Sequence, residues 1–134
     1  MTLLTSYFVS KQRVPENTDE AFISLSKGKS LDNRPVFDLW IFENGQVVYK
    51  GIENVDKVGV EKSIVPLDVV SKIKNLINQS NQNEIGDAKG RDNPLTIIKH
   101  NGRKIVFQSS RVKGNLLELN NLLEHIATII NEKD

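Results

Sequence analysis

Carboxylates, cations and a histidine fall close together between Asp87 and Arg103. These are the residue types a hydrolase uses: an acid or imidazole as base, with positive groups beside it for developing negative charge. Asp87, Arg91, Asp92, His100 and Arg103 therefore form a candidate polar site, with Lys89 nearby. Their spacing matches no catalytic signature. The chain has no His-Glu-x-x-His, no Gly-x-Ser-x-Gly and no phosphate-binding loop. With two histidines and no cysteine, it lacks the usual ligands of a structural zinc site. Thiolate chemistry and disulfides are excluded outright. No metal or cofactor is expected. Lys99, Arg103, Lys104, Arg111 and Lys113 could meet phosphates. No aromatic residues interleave them for base stacking, so nucleic acid is not an expected partner. Charged hairpin ends ordinarily just keep sheet edges from aggregating.

A second candidate site is apolar. From Pro35 to Gly51, two apolar runs flank Asn44-Gly45, which suits a two-residue type I′ hairpin. That turn sets Phe42 opposite Val47, Ile41 opposite Val48 and Trp40 opposite Tyr49. Alternation then places Phe37, Leu39, Ile41 and Val48 on one face, and Trp40, Phe42, Val47 and Tyr49 on the other. The latter four are the candidate protein-binding residues, because Trp and Tyr are favoured interface anchors. The competing reading folds the N-terminal segment over them, through Tyr7 and Phe8, since large exposed apolar patches are scarce.

The elements that must position these residues are legible from period and turn chemistry. Ala21 to Lys27 alternates as a strand, with Ala21, Ile23 and Leu25 on one side. Val55 to Val65 reads as an irregular strand interrupted at Gly59. Pro66 opens a helix whose stripe is Val69, Val70, Ile73, Leu76 and Ile77. Ser80 to Asn93 is a long polar loop. Leu95 to His100, Asn101-Gly102 and Arg103 to Gln108 form a second hairpin with the same turn chemistry. Leu116, Leu119, Leu123, Ile126 and Ile130 mark the clearest amphipathic helix, with Asn115 as its N-cap. The fold class expected is α+β: an antiparallel sheet of two hairpins plus flanking strands, with two amphipathic helices on one face. Residues 1–19 form an N-terminal extension, and residues 20–134 a single domain.

Phe22 to Lys27, Pro35-Val36-Phe37, Asn44 to Gly51, Val58-Gly59 and the Pro-started helix resemble an uncharacterised family of small bacterial domains. In that family a Cys-Pro-Val-Tyr strand enters an Asp-Gly hairpin ending in Tyr-x-Gly. Asp92 and Pro94 resemble its Asp-x-Pro element, and the similarity spans about residues 20 to 130. Members often carry a cysteine pair before the Pro-aromatic strand. Here those places hold residues such as Ser30 and Arg34, so any role tied to the cysteines is lost. The resemblance implies a fold and no activity.

At 134 residues the chain can bury a core without staples, and its net charge of +1 implies no global field. No run approaches the ~18 apolar residues of a membrane span, and the start lacks signal-peptide features. A cytoplasmic location and no membrane contact are expected. The function expected is a non-catalytic soluble module acting through a protein partner or as a homodimer. The alternatives are a small inhibitor or immunity-type protein, and a small enzyme using the 87–103 loop and hairpin.

Overall fold

The computed structural model describes residues 17–87 and 94–133. The expectation that Tyr7 and Phe8 cover Trp40 lies outside the described residues, as do Arg91 and Asp92 of the polar site. Among the described residues, six strands and two α-helices follow in order. They are β1 (Ile23–Lys27), β2 (Val36–Ile41), β3 (Gln46–Glu53), β4 (Gly59–Ile64), α1 (Leu67–Gln79), β5 (Leu95–His100), β6 (Arg103–Gln108) and α2 (Gly114–Glu132). The strands form one antiparallel sheet in the order β4-β3-β2-β1-β5-β6. The two helices lie on one face, giving the α+β layout expected from period alone. Ile23 and Leu25 of β1, Leu39 and Ile41 of β2, Ile98 of β5 and Phe107 of β6 share the core with both helix stripes. From α1 come Ile73 and Ile77, and from α2 Leu116, Leu119, Leu123 and Ile130.

The first hairpin corrects the expected register. The Phe42 N–H bonds the Gln46 carbonyl at 2.9 Å, and the Gly45 N–H bonds the Phe42 carbonyl at 3.0 Å. The loop is therefore three residues, Glu43-Asn44-Gly45. Gly45 takes a φ of 91° while Asn44 does not enter the left-handed region, so this is no type I′ turn. The Asn44 Oδ1 accepts from the Gln46 N–H at 3.0 Å, which favours the longer loop. One extra loop residue moves the pairing by one: Ile41 faces Val47, Trp40 faces Val48 and Leu39 faces Tyr49. A one-residue shift exchanges the faces of the whole returning strand. Val47 and Tyr49 thus lie in the core, and Val48 lies beside Trp40. The second hairpin keeps the expected two-residue turn, with Asn101 and Gly102 at φ 51° and 77° and His100 opposite Arg103.

Other differences are local. β3 runs on to Glu53 rather than turning at Gly51, and the irregularity falls between Val36 and Phe37 of β2, where Ile52 is skipped. Gly59, at φ 108°, begins β4 rather than interrupting it. Asn115 does not cap α2. The cap position is Lys113, which makes no side-chain cap bond, and the Asn115 amide donates to the Gln79 carbonyl at 3.3 Å.

Candidate functional site

The four apolar candidates do not form one surface. Phe42, Val47 and Tyr49 are buried, and Trp40 is half-buried on the helix-free face. Register places Val48 and Ser24 on either side of Trp40, with Lys62, Lys99 and Lys104 further along the same row. The adjoining row holds Val60, Lys50, Asp38, Ser26, Ile97 and Val106. A groove of about 520 Å³ runs from Trp40 and Asp38 to the tip of the second hairpin.

Of the described polar candidates, His100 and Arg103 are brought together as partners across the second hairpin, and Asp87 is not joined to them. Asp87 and Arg103 are exposed, and no hydrogen bond or ion pair joins either to His100 among the described residues. The His100 Nδ1 lies 2.8 Å from the Phe22 carbonyl oxygen, which can only accept, so Nδ1 carries the proton. The Phe22 ring meets the imidazole edge-on. His100 is thereby held as a structural donor.

Sequence reasoning missed the most enclosed charged group among the described residues. Lys27 follows Ile23 and Leu25 in the alternation of β1, and so points among the core side chains with only 9% of its surface exposed. Its Nζ lies 2.8 Å from Thr96 Oγ1, 2.6 Å from Ser109 Oγ and 2.7 Å from Asn120 Oδ1, and it pairs with the Glu124 carboxylate. The Thr96 and Ser109 hydroxyls are themselves 3.0 Å apart. Burial pushes the lysine amine below its ordinary pKa, opposed by the hydrogen bond and charge of Glu124. A lysine at a core phase of β1 and an asparagine at a core phase of α2 (Asn120, 1% exposed) were the signals that could have found this cluster. A cleft of about 450 Å³ opens beside it, walled by Phe37, Val55, Pro94 and Ala127.

The far side of that cleft is a polar clamp. The Asn131 amide donates to Tyr49 Oη at 2.9 Å and to the Ala127 carbonyl at 3.0 Å, while its Oδ1 accepts the Lys57 N–H at 3.1 Å. Burial pushes the Tyr49 phenol above its ordinary pKa. The native state then keeps a proton that the unfolded chain gives up from about pH 10. Stability from this group is complete below that pH and is lost as pH rises through the native value. Tyr49→Phe is expected to cost about 1 kcal/mol at pH 7, for the lost hydrogen bond. It should also flatten the alkaline fall in stability, as urea unfolding at pH 7 and above pH 10 will show.

A family model described as a domain of unknown function, DUF6438, matches residues 21–130. The chain belongs to this family. The DUF6438 match runs from the residue before Phe22 to Ile130 near the end of α2, and so takes in all six strands and α1. Lys27, Thr96, Ser109, Asn120 and Glu124 all fall within it. A comparison with curated proteins returned no match. Among the described residues no helix is long and apolar enough to cross a membrane, and no group of His, Asp and Glu is placed to hold a metal ion.

Proposed function

We propose that the domain acts through protein contact on the helix-free face of its sheet, with Trp40 as anchor and an acidic partner segment as its counterpart. One observation carries this reading: the charge set around the indole. Lys50, Lys62, Lys99 and Lys104 all point from that face into solvent, against the carboxylates of Asp38 and of Asp19, which lines the same groove. None of these lysines forms an ion pair with a described residue. Val60 and Ile64 stay 58% and 63% exposed on the same face, which adds apolar contact area beside the cations. Positive charge that is unpaired among the described residues, set around an aromatic anchor, steers and selects a negatively charged partner. It also disfavours a homodimer made through this face, because two copies would oppose like charges. An inhibitor or immunity-type role is the form this takes where the partner is an acidic enzyme. The enzyme reading at 87–103 is less favoured, since among the described residues no hydrogen bond or ion pair joins Asp87, His100 and Arg103 into a working set.

Trp40 is the chain's one tryptophan, so its emission reads this face directly. Titration with a glutamate-rich peptide carrying one leucine or phenylalanine is expected to shift that emission saturably, and less so as salt rises. Reversing Lys99 and Lys104 to glutamate should weaken binding by about tenfold or more while leaving the melting temperature unchanged. An unmoved indole, indifference to the charge reversal, or tighter binding of a single-stranded oligonucleotide would each overturn the proposal.

A further inference from the structure

We infer that Ser109 is a nucleophile for small acyl substrates, with Lys27 as its general base, in the cleft between β1 and α2. The argument begins with proton counting. The Lys27 Nζ has four oxygen partners: Thr96 Oγ1, Ser109 Oγ, Asn120 Oδ1 and a Glu124 carboxylate oxygen. Asn120 Oδ1 and the carboxylate can only accept, so they take two N–H bonds. One position on nitrogen then remains, facing two hydroxyls. Ser109 is the nearer, at 2.6 Å, and the third ammonium proton or the amine lone pair fits that position equally. With the lone pair there, the Ser109 O–H donates to nitrogen, which is the arrangement that activates a serine. The desolvation that lowers the lysine pKa favours this state.

Placement agrees with the chemistry. Lys27 is enclosed, whereas Ser109 is half-buried and lines the 450 Å³ cleft, so the base sits behind an accessible hydroxyl. Phe37, Val55 and Ala127 offer apolar walls for an acyl chain. The Thr96 hydroxyl, 3.0 Å from Ser109 Oγ, fixes the rotamer of the nucleophile. In the reaction, Ser109 Oγ bonds to the acyl carbon as its proton passes to Lys27 Nζ. The tetrahedral adduct expels an alkoxide, which takes that proton and leaves as an alcohol. Water then attacks the acyl-serine, gives a proton to Nζ, and releases the carboxylic acid as that proton returns to Ser109 Oγ. No co-reactant beyond water is needed. Glu124 is a positioning residue with an opposing effect, because its charge holds a proton on the lysine.

The test is covalent labelling of the full chain with a fluorophosphonate, read by intact mass and peptide mapping. A single adduct on Ser109 is expected, absent in Ser109→Ala. Lys27→Met should slow labelling by at least tenfold. That variant leaves buried acceptors unpaired and can fail to fold, so Glu124→Gln is run beside it. Removing the carboxylate frees the amine, and labelling at neutral pH should become several-fold faster. Glu124 also accepts from Asn120 Nδ2 at 3.1 Å, so the gain must vanish when Lys27→Met is added, which mere loosening of the cluster would not require. No adduct on the wild-type chain, an adduct elsewhere, or a Glu124→Gln rate equal to or below wild type would overturn the inference.

Discussion

Replacing Gly51 with alanine is expected to destabilise the domain by about 3 kcal/mol or more, read as a lowered urea midpoint. An added Cβ would run into the Lys57 carbonyl oxygen. It would also stand 2.9 Å from Val55 Cγ2 and 3.0 Å from Tyr49 Oη. The carbonyl is backbone, and the Lys57 N–H is tied to Asn131 at 3.1 Å, so retreat breaks the clamp between β3 and α2. Gly102 is the contrasting case. It has φ 77° and nothing within 4 Å of an added Cβ. Gly102→Ala should cost only the left-handed backbone term, about 1 kcal/mol. Equal losses in the two variants would refute crowding as the cause.

The second large effect is expected at Glu84. Its carboxylate accepts the Asn115 and Leu116 N–H groups, each at 3.1 Å, and its carbonyl accepts the Lys113 N–H at 2.8 Å. These are the orphan donors at the start of α2, which its own cap residue leaves unmet. A carboxylate there also complements the helix dipole. Glu84→Ala should cost about 2 kcal/mol, and Glu84→Gln a smaller amount. Gly114 supplies a check. Its φ is 67° and an added Cβ would lie 2.5 Å from Glu84 Oε2. Gly114→Ala combined with Glu84→Ala should therefore cost less than the two single changes together. Strict additivity would argue against contact between them.

Most of the fold was readable because its signals are local. Alternation at Ile23 and Leu25, the Pro66 helix start and the Leu116–Ile130 stripe each act within a few residues. The first hairpin misled because Asn-Gly serves two turns. At Asn101-Gly102 both residues go left-handed, while Glu43-Asn44-Gly45 uses the glycine alone and adds one residue. That single count moved Val47 and Tyr49 off the proposed surface. The Lys27 cluster was beyond local reading for another reason. Its partners lie 69 to 97 positions along the chain, the last being Glu124, and only the folded sheet brings them together. The polarity of Lys27 and Asn120 at core phases marked the place without naming the partners.

The strand order has a bearing on synthesis. β1 sits mid-sheet, yet one of its two neighbours, β5, is translated only after α1 is complete, with Leu25 waiting for Ile98. A nascent chain that has emerged only through α1 would carry a bare strand edge and a lysine whose four oxygen partners are still unmade. Closing the sheet at β1 and satisfying Lys27 therefore both require chain that follows α1, and until then the four-stranded meander presents an unpaired edge.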